Sequence, residues 1–390
     1  MAEQKKIALC LEYPLALRGG VSVLVETLLE GLKDRFKLIL VSPDKPEDLK
    51  RHAVGSLING HVVWNPATVS RETSRRLVQE LARHGVHLAH FHLGGNYGWG
   101  NRFPGGCPIP YLNKSGILTC STVHLVVSPL DGYCGPQKPL WFKLALLPLA
   151  WAGKMNQLAH VRREIAVSQH DVNKLRRWNW PLRGKYRQIY HSRLRIQPGN
   201  EPAAPREPLV LNVGHIAWRK GQIVLAEAFA QVATRHPEWK LCLAGGLLET
   251  DTVEKIRAIA RTHQLEKRIL LPGERTDAME MMQRAGIYVQ PSYHEALGLA
   301  LQEAMFFGCP SIGTRAGGIP ELVEHGSTGL LVEPGQPAQM AQALETLMAD
   351  AALRKKFGQS GAASIVRKGM TAEQMCLRHV QLYESILNHA

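Results

Sequence analysis

Residues 285–321 read AGIYVQPSYHEALGLALQEAMFFGCPSIGTRAGGIPE. Residues 287–290 are apolar, β-branched and aromatic, closed by Pro291, the pattern of a short buried strand. A loop follows. Residues 298–307 then carry good helix formers: Leu299, Ala300, Gln302, Glu303 and Met305. Gly308 stands where a helix C-cap belongs, and Pro310 blocks continuation. Residues 309–313 read as the next strand. Strand, loop, helix and strand in this order make the βαβ unit of a parallel sheet.

Glu295 in the loop and Glu303 on the helix stand eight residues apart. Between them Leu297, Gly298 and Leu299 would present open amides at the helix N-terminus, an anion site that suits a diphosphate. Gly298 lets the backbone come close to such a ligand. With a diphosphate on those amides, the two carboxylates could reach hydroxyls on either side of it, the layout of a nucleotide sugar. The plain alternative is that both are solvated helix residues.

The motifs Glu295-Ala-Leu-Gly298-Leu-x-x-x-Glu303-Ala-Met, Gly308-x-Pro310, Gly317-Gly318-Ile-Pro-Glu321 and Gly326-x-x-Gly329-Leu-Leu-Val resemble glycosyltransferase family 4. The resemblance covers nearly the whole C-terminal half and, more loosely, the N-terminal half. Leu297 replaces the family's usual aromatic. The resemblance implies an α/β GT-B fold: two Rossmann-like, doubly wound domains facing a cleft. It further implies a retaining, metal-independent transferase with a nucleotide-diphosphate sugar as donor, UDP or GDP, and no cofactor.

The chain of 390 residues suits two domains of roughly 150–200 residues each. The expected division is residues 1–195, joined by a C-terminal helix 371–390, a Pro- and Gly-rich linker 196–208, and residues 209–370. Hydrophobic residues make up 45% and charged residues 21%, which is globular. Seven scattered cysteines without a C-x-x-C pair indicate a reducing compartment and no disulfide framework. The N-terminus lacks the apolar run of a signal peptide, so the expected location is cytoplasmic, at the inner face of the membrane if peripheral.

Net charge is +14. The excess concentrates in residues 154–195, where eleven basic residues meet only Glu164 and Asp171, with Trp178, Trp180 and Tyr186 interleaved. Nucleic acid, an anionic membrane, an anionic acceptor and a plain solvated face all fit such a stretch. Without a nucleic-acid motif, the membrane or a lipid-linked anionic acceptor is preferred.

In the N-terminal half, residues 6–11 read as the first strand and residues 21–32 as an amphipathic helix. Gly19 and Gly20 at the helix entry resemble the family's diphosphate loop, though a plain strand–helix turn has the same look. His90 and His92 share one face of a strand and lead into Asn96. They could bind a metal, but no third ligand stands at typical spacing. The resemblance instead favours substrate contact on the acceptor side. His124 ends the strand 116–123, where the family carries a His beside the donor sugar. Residues 128–139 read as a loop. Residues 140–152 (LWFKLALLPLAWA) read first as a core helix, with an interfacial helix as the alternative.

In the C-terminal half, Lys220 matches the family lysine on the donor diphosphate. His215 stands where the family has an Arg, and Arg219 could supply that charge; His215 could make binding pH-dependent. Gly273 and Arg275 lie in a turn that in the family is near the base. The implied roles are Lys220, Arg219 and the amides at 297–299 on the diphosphate, Glu295 on the donor sugar and Glu303 on the ribose. His124 is assigned to the sugar side. The rivals are an epimerase or phosphorylase on the same fold, and a non-catalytic nucleotide-sugar-binding protein. A nicotinamide oxidoreductase would need a G-x-G-x-x-G that residues 18–20 do not supply. The acceptor class expected is a glycan, a lipid-linked glycan or a small molecule.

Overall fold

A computed structural model describes residues 4–15, 19–51, 53–65, 68–95, 97–99, 106–134, 137–196 and 206–389. Arg18, Asn96 and most of the linker lie outside these. The chain divides into two compact units, Met1–Arg193 with Ala372–Ala390, and Leu194–Thr371.

The first unit has a seven-stranded parallel sheet. Its strands are β1 (Lys6–Leu11), β2 (Lys37–Ser42), β3 (Gly60–Val63), β4 (Leu88–Leu93), β5 (Leu118–Val123), β6 (Arg163–Ala166) and β7 (Tyr186–Gln188), in the order β3-β2-β1-β4-β5-β6-β7. The second unit has six: β8 (Glu207–Val213), β9 (Lys240–Ala244), β10 (Ile269–Gly273), β11 (Ala285–Gln290), β12 (Ser311–Thr314) and β13 (Leu330–Val332), in the order β10-β9-β8-β11-β12-β13. The near-continuous apolar runs explain the parallel pairing. Every residue of β4 and of β11 is buried, as strands covered by helices on both faces must be. In each sheet the order reverses at the first strand, between β1 and β4 and between β8 and β11. Loops at the carboxyl ends of such strands flank the ligand crevice of open α/β sheets.

The last helix, Ala372–Asn388, completes the first unit. Its Arg35–Glu384 ion pair lies at the surface, while Tyr383 is buried against Phe36 and His90. Gly31 is required there, since a Cβ would sit 2.3 Å from Cys376 Sγ. Six of the cysteines are buried and free.

Three expectations need correction. Residues 129–134 within the expected loop form a short helix, Pro129–Cys134. Strand β10 runs on through Gly273, where a turn was expected. The apolar run 140–152 opens a helix, Leu140–His160, that is not a core helix: Leu140, Trp141, Leu144, Leu149 and Trp151 are exposed. Its last third is anchored in the core. There Lys154 and Glu164 form a buried ion pair at 2.7 Å, with Ser121 Oγ donating to Glu164 at 2.8 Å and Gln157 Nε2 at 3.3 Å. Lys154 therefore does not belong to a basic surface, and Glu164 does not oppose one.

Candidate active site in the second unit

The stretch 285–299 leaves the sheet at β11 and returns to helix at Leu299–Phe306. The alternation that buries Tyr288 also places Gln290 and Ser292 on the same side, and they carry a polar chain out of the core. Tyr288 OH donates to Gln290 Oε1 (3.0 Å), Gln290 Nε2 to Ser292 Oγ (2.9 Å) and to Glu295 Oε2 (3.2 Å), and Ser292 Oγ to Glu295 Oε2 (3.2 Å). Lys220 Nζ closes on the same oxygen at 2.6 Å. Residues 75 apart in sequence thus form a half-buried ion pair held by two neutral donors.

Backbone shape fixes this arrangement. Gly221 ends the 3-10 turn Trp218–Lys220 with φ +70, and a Cβ there would lie 2.0 Å from Pro291 O. Gly317 has φ +55, and its Cβ would lie 1.6 Å from Glu295 O. Only glycine permits both close approaches. The Tyr293 ring stacks on Trp218 at 5.1 Å, and Tyr293 N donates to Arg219 O, tying the two loops together. Gln222 Nε2 donates to His215 O (3.0 Å) and Asn212 Oδ1 (3.3 Å), bracing the loop from below.

Gly298 caps the helix in a left-handed conformation, φ +102, and no side chain caps it. Its Cα faces the Glu295 side chain, since a Cβ would be 3.5 Å from Glu295 Cγ. Lys220, Glu295, Gly298 and Leu299 therefore come together, and the amides of the first turn with the positive end of the dipole favour an anion beside the Lys220 ammonium. Leu297 is buried beneath them. Glu303 is 4% exposed, one turn into the helix. Neither glutamate is a solvated helix residue.

His215 and Arg219 are exposed on the β8 loop. His215 Nδ1 and Glu274 Oε1 flank Gly246, each 2.9 Å from where a Cβ would stand. Arg275 donates through Nε and Nη2 to the carboxylate of Asp277 (2.8 and 2.7 Å), which raises the guanidinium further and holds Asp277 below the usual range. Gly273, φ +77, sits at the end of β10 on the same edge.

The first-unit residues lie at the corresponding switch point of their own sheet. Gly19 and Gly20 open the helix Gly20–Leu32 without a side-chain cap. Glu12, missed by sequence reasoning, accepts from the amides of Gly94 (2.9 Å) and Trp99 (2.5 Å) and so joins the β1 and β4 loops. His90 is wholly buried. Its Nδ1 lies 2.5 Å from Tyr383 OH and its Nε2 2.8 Å from Thr122 Oγ1. His92 is buried beside it, with Nδ1 at 3.1 Å from His124 Nε2. His124 is half-buried and also packs on His191, ring centroids 5.0 Å apart. His379 completes a cluster of five. Burial pushes all five imidazoles down, reinforced for His90, His92, His124 and His191 by the other histidines; His379 is pushed down to about 4. His379 and Tyr383, four residues apart on one helix face, were the signal available in the sequence.

Two parallel-sheet units, each with glycine-rich loops at its switch point, define the GT-B fold. A glycosyltransferase from Rickettsia africae superposes over 100% of both chains with a TM-score of 0.76 at 16% identity, in agreement with that fold. Residues 195–364, nearly the whole second unit, match the family described as Glycosyl transferases group 1. Among curated relatives, the N-acetyl-α-D-glucosaminyl L-malate synthase of Bacillus anthracis is 29% identical over 181 residues, 46% of each chain. This chain thus spans about half the length of that relative, as it does for the others of similar rank. The sulfoquinovosyl transferase of Arabidopsis thaliana is 24% identical over 99% of this chain and 75% of its own.

Proposed function

We propose that this protein is a retaining glycosyltransferase that moves a sugar from a nucleotide-diphosphate sugar to a glycan, a lipid-linked glycan or a small-molecule acceptor. The observation that carries the reading is the Lys220–Glu295 pair beside the uncapped helix at Gly298. It sets a cation, open amides and a carboxylate at one point of the β8/β11 switch loops.

In this reading the free protein holds Lys220 on Glu295, and the donor diphosphate draws the ammonium to itself. Glu295 remains fixed by Gln290 and Ser292 and is left to accept from a sugar hydroxyl. Glu303 accepts from the ribose, and Arg219 adds charge on the exposed side. During transfer the bond from the anomeric carbon to the leaving phosphate oxygen breaks. A bond to the acceptor oxygen forms on the same face, and the acceptor proton passes to the leaving phosphate. Negative charge grows on that phosphate, and Lys220 with the amides of residues 297–299 stabilises it. Cations and amides fill the role a divalent ion plays elsewhere, so transfer is expected to be metal-independent. The family resemblance assigns His124 to the sugar side and His90, His92 and Asn96 to the acceptor side. A site at the inner membrane face, with contact through residues 154–195, belongs to the same reading.

Thermal-shift screening against UDP, GDP, ADP, TDP and their sugar conjugates, with and without EDTA, tests it. One donor is expected to stabilise the chain regardless of EDTA, and Lys220→Ala and Glu303→Ala to weaken that shift. If no nucleotide stabilises the wild-type chain, the donor site is wrong.

A further inference from the structure

The helix Leu140–His160 carries a feature the transfer reaction does not use. Over its first three turns the side chains that point outward are apolar. Leu140 is 64% exposed, Trp141 70%, and Leu144, Leu149 and Trp151 are exposed with them. They recur at helical spacing along about 17 Å of one face. The two lysines of the helix do not interrupt it: Lys143 is turned onto Asp131 at 2.6 Å, and Lys154 is buried on Glu164. Pro148 lies on the same exposed face and leaves the Leu144 carbonyl without its helical donor. A core helix would not expose two tryptophans, and a solvated one would not have a face without charge.

Positive charge gathers at the C-terminal end of this helix. Lys185 Nζ donates to Val161 O at 2.8 Å, which pins the turn Trp180–Lys185 against the helix C-terminus. Trp180 in that turn is 69% exposed. From residue 161 to 195 the chain has ten basic residues and two acids, and both acids, Glu164 and Asp171, are buried. The exposed charge of the segment is therefore of one sign. Arg163 hydrogen-bonds to a backbone carbonyl rather than a carboxylate, as do Arg176 and Arg187. Burial lowers Lys185 and Arg187, and their basic neighbours Arg162, Arg163 and Arg176 lower them further, which shows how closely these cations crowd.

We propose that the apolar face of this helix, with Trp180 and the basic turn at its C-terminal end, docks on the surface of an anionic lipid bilayer. The tryptophans would enter the headgroup boundary, where amphipathic rings are favoured, and the arginines would meet lipid phosphates. The helix lies on the bilayer rather than through it, since no helix among the described residues is long and apolar enough to cross. Charge complementarity selects the lipid surface over a protein partner. The proposal deepens the membrane contact named above and rests on that reading. It gives the contact an insertion surface, Trp141 to Trp151, and removes Lys154 from it.

The test is co-sedimentation of the full chain with vesicles of phosphatidylcholine alone, and of phosphatidylcholine mixed with phosphatidylglycerol, read also by tryptophan emission. Binding to the mixed vesicles is expected, with a blue shift and weakening by salt. The variant W141S/L144S/W151S should lose about tenfold or more of it. Arg177→Ala with Arg183→Ala should lose about fivefold per charge. These side chains are exposed, so both variants should keep the wild-type unfolding midpoint and donor-induced shift. Equal binding by the triple variant, or binding to neutral vesicles without salt dependence, overturns the proposal. So does self-association in sedimentation velocity that the triple variant abolishes without any vesicle binding, which would make the face a protein interface. Loss of the donor shift in the wild-type chain, with vesicle binding intact, refutes the transfer reading and leaves the docking surface standing.

Discussion

Acid should unfold the first unit through its histidines. His379 is buried in the last helix, its Nδ1 donating to Met375 O at 2.8 Å and its Nε2 without a partner in the protein. Its imidazole falls from 6.5 in the free residue to about 4 in the folded chain, and burial is the main cause. Between these two values the unfolded chain binds a proton that the folded chain refuses, so stability falls as pH falls through that window. At about pH 7.5 neither state is protonated and the effect vanishes. At about pH 5 it amounts to roughly 2 kcal/mol for this one group, taken as RT ln of the ratio of the two protonation polynomials. His90, His92, His124 and His191 shift in the same direction and act with the same sign. A domain holds only about 5–15 kcal/mol in total, so the loss is a large fraction. Urea unfolding followed by tryptophan fluorescence at both pH values measures it. His379→Phe keeps a ring and removes the proton site, so its stability should drop less on acidification than that of wild type, by up to about 2 kcal/mol. Equal losses in the two proteins, or a wild type no weaker at the lower pH, would refute the reasoning.

Two further substitutions bear on other parts of the fold. Gly317→Ala adds a methyl 1.6 Å from the Glu295 carbonyl at φ +55, so the loop carrying Glu295 must move. About 1–3 kcal/mol of stability and most donor affinity should be lost, and an unchanged donor shift would show that the loop position does not matter. Lys154→Met strands Glu164 in the core and should cost about 3–5 kcal/mol, whereas adding Glu164→Leu should restore most of it. A double variant no more stable than the single one would show that the pair is worth more than its desolvation.

Much of the second unit was legible in order. The run 287–290 announced a buried strand by its side chains, and Gly308 with Pro310 announced where the next helix stops. The boundaries moved by one or two residues, because frayed ends are set by neighbours rather than by propensity. Strands β7 and β13, three residues each, were too short to show periodicity. The helix Leu140–His160 was misjudged because an apolar sequence states what water disfavours, not whether a partner element exists to cover it.

The sequence alone determined the βαβ rhythm, the glycines that the loops require, and the residue types gathered at the proposed diphosphate site, since these depend on contacts within a few residues. Only the tertiary structure decided that Lys220 meets Glu295, that Glu303 is buried, and that five histidines from four segments of the first unit pack together. Only it showed that Lys154 neutralises Glu164 while the surrounding arginines stay exposed to one another's charge. Each of these joins side chains from separate strands and helices, and the sheet order that brings them together is fixed by packing across the whole unit.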